Sequence, residues 1–146
     1  MSMLDWPSQN FLLSAMPADA IERLCPDLER IQMSAGQVLR EPGVASRDVY
    51  FPATSIVSVN YVMEGGHSAE IALIGREGML GVPLLLGTTM STIHASVLSA
   101  GVGFRMPGSC LLEEFKRGAA LMHVLLRYTG SLIAQMQQTA ACNRHG

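Results

Sequence analysis

Four glycines punctuate one apolar run, Ile71-Ala-Leu-Ile-Gly-Arg-Glu-Gly-Met-Leu-Gly-Val-Pro-Leu-Leu-Leu-Gly87. Glycine lets a backbone turn sharply and approach a ligand closely, because no Cβ stands in the way. A loop that feeds a short helix also presents unpaired backbone N–H groups, which suit an anion. The chemistry this spacing suggests is the holding of an anionic ligand. Bond-breaking chemistry finds no matching pattern. The chain has no Ser/His/Asp arrangement, no HExxH and no Walker loop, and Gly75-Arg-Glu-Gly78 lacks the lysine of a phosphate-hydrolysing loop. Glu113 and Glu114, beside Lys116 and Arg117, read as a solvated helix face. The chain is therefore not expected to be an enzyme.

Metal chemistry is equally thin. Cys25, Cys110 and Cys142 are dispersed and form no CxxC, which points to reduced thiols in a cytoplasmic protein. An iron–sulfur cluster needs four thiolates. A cupin-type metal site needs clustered histidines and carboxylates, and His67 with Glu70 is too sparse a set.

The elements that must position the loop follow from the rest of the chain. Its 146 residues are one domain's worth of sequence, 49% hydrophobic with mean hydropathy +0.27, enough to bury a core. A net charge of −2 leaves no excess of cations for a nucleic-acid backbone. No signal-peptide pattern opens the chain, and its apolar runs stop short of the ~20 residues a spanning helix needs. A cytoplasmic protein with no membrane partner is expected.

Residues 1–27 predict short helices. Asn10 is a cap for Phe11, Leu12 and Leu13, Pro17 breaks that helix, and Asp19 to Cys25 forms a second that Pro26 ends. Residues 28–106 change to a strand period. Strands are predicted from Leu28 to Met33, Gln37 to Arg40, Asp48 to Phe51, Ile56 to Met63 and Ser68 to Ile74, the last two a hairpin about Glu64-Gly-Gly66. A short apolar turn follows at Leu84 to Leu86. Ile93 to Ser99 and Val102 to Met106 are predicted as a further hairpin about Ala100-Gly101. Many short strands with regular turns imply a jelly roll.

Residues 107–146 return to helices. Ser109 is the expected N-cap of a helix ending near Gly118, and a long helix runs from Ala119 to about Cys142. Leu121, Leu125, Tyr128, Leu132 and Met136, the expected residues of a dimer helix, recur at helical spacing on one face, and Met122, Leu126 and Ile133 lie on another. A helix apolar on two sides needs two partners. One is the barrel, and the other is predicted to be the same helix of a second copy, packed as a coiled coil. Burial within a single monomer is the competing reading. Gly130 costs about 1 kcal/mol in such a helix and suggests a close crossing or a bend.

With these elements in order, the chain resembles the effector domain of the Crp/Fnr transcription regulators, the cyclic-nucleotide-binding (cNMP) fold. Asp48-Val-Tyr-Phe-Pro52, Ser68-Ala-Glu-Ile-Ala72, Gly75-Arg-Glu-Gly-Met-Leu-Gly81, Leu126-Arg-Tyr-Thr129 and Ala141-Cys-Asn-Arg-His145 carry the likeness, which spans residues 10–145. The resemblance implies a double-stranded β-helix (jelly roll), mainly β with flanking helices, followed by a long dimerisation helix. It also implies a winged helix-turn-helix domain after that helix, absent from this sequence, so DNA would be bound only through that missing part.

The family's cassette holds a glutamate for the ribose and an arginine for the cyclic phosphate. Aligned on Gly81 and Ala95, Val82 stands at the glutamate, Ile93 at the arginine and His94 at the serine. Loss of a charge-assisted bidentate contact weakens binding on the order of a hundredfold to a thousandfold. Arg76, Glu77 or His94 could substitute, though each reads more simply as a surface residue. The resemblance therefore implies a pocket lined by Gly81, Val82, Leu84, Ile93, His94 and Ala95, reached by Tyr128 and Thr129 from the helix, with weak or absent cAMP binding and no certain cofactor. Related regulators include haem sensors, for which His67, His94, His123 and His145 are the candidates, though a lone histidine reads more simply as a structural or exposed residue. The expected function is the ligand-sensing half of a dimeric regulator, controlling DNA binding allosterically. The alternative is a stand-alone interaction module with no DNA-binding domain.

Overall fold

The computed structural model describes residues 3–88 and 92–145. A 3₁₀ turn (Met3–Gln9) leads into α1 (Phe11–Ser14) and α2 (Ala18–Leu24), and a second 3₁₀ turn (Cys25–Asp27) follows. The strands are β1 (Glu29–Met33), β2 (Val38–Arg40), β3 (Asp48–Pro52), β4 (Ile56–Val62), β5 (Ser68–Ile74), β6 (Ile93–Ser99) and β7 (Gly101–Pro107). The short helix α3 (Val82–Leu85) follows the glycine loop, and α4 (Gly108–Arg117) and α5 (Ala119–His145) close the chain.

The strands form two antiparallel sheets, β1-β7-β3 and β2-β6-β4-β5. This is the jelly roll that the strand spacing predicts. The β4–β5 hairpin is present, with Val62 opposite Ser68. The expected hairpin of β6 with β7 is not. β6 is paired on both sides by β2 and β4, and β7 by β1 and β3, so neither keeps a free edge for the other. Ala100 is a corner at which the chain passes from one sheet to the other. Local turn residues cannot distinguish such a corner from a hairpin.

Alternation along the strands feeds two cores. Val49, Phe51, Phe104 and Met106 of the three-stranded sheet face the helices, meeting Leu13 of α1, Leu111 of α4, and Leu121 and Leu125 of α5. Met33 and Tyr50 face the other way and meet Val57, Val59, Ala72, Ile74 and Val97 of the second sheet. Burial of a large aliphatic or aromatic side chain contributes about 1.5–3 kcal/mol, so these two layers carry most of the fold's stability.

Three helix expectations change. The stripe Leu121, Leu125, Tyr128, Leu132 and Met136 packs on the chain's own domain, Leu121 and Leu125 being buried and the other three half-buried against the cores. The face left open carries Leu126 and Ile133, about half exposed. The stripe fills the domain's own cores, and α5 also runs against β5, the edge strand of its sheet. There the Leu73 amide donates to Gln135 Oε1 at 2.9 Å, and cover of this kind keeps an edge from pairing with other chains. Ser109 is not a cap: α4 begins two residues earlier than such a cap implies, at Gly108, straight from β7, with Pro107 at the cap position. Glu114 is not solvated. It is buried, and accepts from Arg23 Nε of α2 at 2.8 Å while Arg117 Nε stands 3.4 Å from its other oxygen.

Candidate functional site

The glycine loop is held from three sides. At the N-terminal end, Asn10 caps α1 as its type predicts, its Oδ1 accepting from the Leu13 amide at 3.0 Å. Its Nδ2 donates to the carbonyls of Pro52 at 2.7 Å and Gly78 at 2.9 Å. This fully buried amide therefore joins the first helix to the end of β3 and to the loop. The Phe11 amide donates to Arg76 O at 2.6 Å, and the Arg76 guanidinium lies over the Phe11 ring. From the sheet, Tyr50 and Leu80 exchange both backbone hydrogen bonds, at 3.0 and 2.8 Å. From the C-terminal side, Tyr128 of α5 donates its hydroxyl to Met79 O at 3.2 Å. Burial pushes the Tyr128 phenol up to about 12.

The loop turns inward at Gly81, where φ is +123°. A Cβ there would stand 2.6 Å from Val49 Cγ1 and 3.2 Å from Arg40 Nη2. Only glycine fits without displacing one of them. Behind this turn lies a cavity of about 130 Å³, walled by the loop from Met79 to Leu84, by Val59 of β4, by Ile71, Ala72 and Ile74 of β5, by Ile93 of β6, and by Leu132 and Met136 of α5. Among the described residues of its lining, Arg40 and Thr88 are the ones with polar side chains.

The residues expected to form the pocket divide. Gly81, Val82, Leu84 and Ile93 line the cavity. Ala95 is fully buried in the core beside it. His94 sits between Ile93 and Ala95 on β6, and the two-residue period of a strand turns its side chain to the outer face, opposite Asn60. Tyr128 grips the loop from outside the cavity, and Thr129 donates to Leu125 O at 2.8 Å within its own helix. Arg76 and Glu77 are exposed, and Glu77 Oε1 accepts from the Gly75 amide at 3.0 Å. Neither lines the cavity. His67 and His123 are exposed and also lie outside it. The His145 side chain falls outside the described residues. Among the described residues, no three His, Cys, Asp or Glu side chains gather as a metal site.

Arg40 is the residue that sequence reasoning missed. It is 6% exposed. Its Nη1 donates to Leu39 O at 3.1 Å, its Nη2 donates to Asp48 O, and the guanidinium stands 5.6 Å from the centre of the Tyr50 ring. Burial lowers its pKa, and the nearby Tyr50 and Asp48 offset part of that. An arginine remains protonated under these conditions. Nothing in Gln37-Val-Leu-Arg40 signals this, since the strand runs directly into the polar turn Glu41-Pro-Gly43.

Two antiparallel sheets rolled together, short helices before them and a long helix after them define the cyclic-nucleotide-binding-like jelly-roll fold. Solved structures of this fold superpose on nearly the whole chain. The sensor domain of the transcriptional regulator DNR from Pseudomonas aeruginosa matches with a TM-score of 0.69 at 13% identity, over 91% of this chain and 87% of that one. Thermus thermophilus catabolite activator protein matches at 0.65 and 16%, over 92% of this chain and 61% of its own. A candidate transcriptional regulator of the Crp/Fnr family from Eubacterium rectale matches at 0.78 and 6%, over 90% and 62%. The chain thus spans about three fifths of the two longer proteins and most of the isolated sensor domain. At these identities the likeness is one of fold. No protein-family model and no curated protein matches the sequence. Among the described residues, no helix is long and apolar enough to cross a membrane.

Proposed function

We propose that this chain is the ligand-sensing half of a dimeric Crp/Fnr-type transcription regulator, with a cassette that no longer grips a cyclic nucleotide. One observation carries the reading: a single cavity is walled both by the glycine loop and by Leu132 and Met136 of α5. A ligand there touches the helix directly, so its affinity differs between arrangements of α5, and that difference is what a ligand needs to shift an equilibrium. In the complete regulator, α5 would carry the shift toward the DNA-binding domains. Val82 and Ile93, at the two anchor positions of the cassette, wall the cavity with hydrocarbon. Valine accepts no hydrogen bond from a ribose and isoleucine pairs with no phosphate, so cAMP is not the expected effector.

Native mass spectrometry of the purified chain tests this, with calorimetry against cAMP. A dimer that carries a co-purified small molecule, together with no heat on titration of cAMP into the micromolar range, is the expected result. A monomer at micromolar concentration removes the dimeric half of the proposal. Micromolar cAMP affinity removes the claim about the cassette.

A further inference from the structure

We propose that the cavity receives a small monocarboxylate, its apolar body between the loop, β4, β5 and α5, and its carboxylate on the guanidinium of Arg40. The proposal rests on the reading of this cavity as the effector site. It deepens that reading by naming the ligand's chemistry and the residue that selects it.

The first ground is backbone register. Strict alternation along β2 would send Leu39 and Arg40 to opposite faces of the sheet. The pairing of β2 with β6 shifts between Val38 and Arg40, and both Leu39 and Arg40 end up buried, at 8% and 6% exposure. A bulge of this kind re-aims a side chain, and bulges concentrate beside functional sites. Here it turns inward an arginine that the alternation would have left in water.

The second ground is charge. Burying a guanidinium is expensive unless an anion accompanies it. None of the ion pairs formed among the described residues includes Arg40. Two of its five donors go to the carbonyls of Leu39 and Asp48, and burial works against its charged form more than the nearby Tyr50 and Asp48 favour it. The remaining donors suit one more oxygen-bearing group, and a carboxylate is the planar, singly charged match. A phosphate dianion calls for a second cation, and among the described residues no other cationic one walls the cavity.

The third ground is the shape and lining of the space. Arg40 stands at the wall beside Gly81, and the rest of the lining among the described residues is aliphatic or thioether apart from Thr88. The volume of about 130 Å³ is close to that of an engineered apolar cavity of about 150 Å³ that admits benzene. A sugar or a purine would leave its hydrogen-bonding groups unmatched on such walls, whereas a body of about six or seven carbons would not.

Calorimetry on the purified chain with two matched pairs decides the matter: benzoate against benzyl alcohol, and hexanoate against 1-hexanol. Each acid is expected to bind at least about tenfold more tightly than its alcohol. In Arg40→Met that preference is expected to vanish, while alcohol binding stays within about threefold. Equal affinity for acid and alcohol in both pairs overturns the carboxylate proposal and leaves the cavity as a ligand site. An acid preference that survives in folded Arg40→Met also overturns it. Binding of none of the four compounds overturns both this proposal and the cavity reading beneath it. Should Arg40→Met fail to fold, the acid–alcohol comparison in the unaltered protein decides alone.

Discussion

The phenol of Tyr128 fills the space that a side chain at Gly78 would need. A Cβ on Gly78 would stand 2.2 Å from Tyr128 Oη and 2.5 Å from Cε1. The long helix thus rests directly on the glycine loop, and the next residue of the loop, Met79, accepts its hydroxyl. Leu132, one turn further along α5, walls the cavity. Loop, helix and cavity are therefore mechanically joined within one turn of helix.

Removing the hydroxyl tests that joint. Tyr128→Phe keeps the ring on Gly78 and leaves the Met79 carbonyl without its donor, at an expected cost of about 1 kcal/mol in urea unfolding. The variant also changes the response to alkali. The phenol ionises near pH 10 in the unfolded chain and near 12 in the folded one. The native state thus holds a proton that the unfolded state has lost between these values, and stability falls as pH rises through that window. Tyr128 contributes about 2–3 kcal/mol to the fall. Tyr128→Phe should lose less stability than the unaltered protein between pH 10 and 12. Parallel pH profiles would remove the buried phenol from the account.

The two loop glycines should fail in different ways. Gly78→Ala has an ordinary backbone to adopt, so its cost is the displacement of Tyr128, about 1–3 kcal/mol. Tyr128→Ala should relieve it, leaving the double variant more stable than the sum of the single costs implies. Gly81→Ala carries backbone strain at φ +123° as well as the contact with Val49, about 1–3 kcal/mol from each. No change at Tyr128 should relieve it. Thermal unfolding of the unaltered protein, the three single variants and the two double variants with Tyr128→Ala checks both statements.

The open face of α5 separates association from folding. Leu126→Glu combined with Ile133→Glu places charges on the face the domain leaves exposed, and should dissociate the proposed dimer with little change in the melting temperature of the monomer. Leu125→Glu, one residue away and buried, should prevent folding. Gly130 lies on the same open face with nothing within 4 Å of a built Cβ. Gly130→Ala should therefore stabilise the monomer by about 1 kcal/mol. If two helices cross at Gly130, the same change weakens the dimer. Sedimentation equilibrium beside thermal melts reads both effects.

Glu114 should matter to folding, not to ligands. It joins α4 to α2 through Arg23, and it lies outside the cavity lining. Glu114→Ala removes a buried acceptor, and should lower the melting temperature more than Glu114→Gln, which keeps one oxygen for Arg23. Neither should alter the acid-over-alcohol preference. A change in that preference would mean that α4 contributes to the site.

Local chemistry made much of this protein legible in the sequence. The β-branched and aromatic run from Ile56 to Met63, the turn at Glu64-Gly-Gly66, the cap at Asn10 and the breaks at Pro17 and Pro26 all act within a few residues, and so the strands and helices fall close to where those signals put them. Val82 and Ile93 were placed beside the cavity by the resemblance, since a loop and a strand in a known order carry their neighbours with them. What the tertiary structure alone decided depends on partners distant in the chain. β6 and β7 went to different sheets because β2, β4, β1 and β3 had taken their edges. Glu114 left the solvent because Arg23, 91 residues earlier, met it across a helix contact. The stripe on α5 turned to its own domain because Leu121 and Leu125 fill the core beneath β3 and β7 while Leu132 and Met136 meet the second core, leaving Leu126 and Ile133 outside. Arg40 entered the cavity through a one-residue shift in pairing with β6, more than fifty residues away, and a strand three residues long carries no local mark of which partner register it will take.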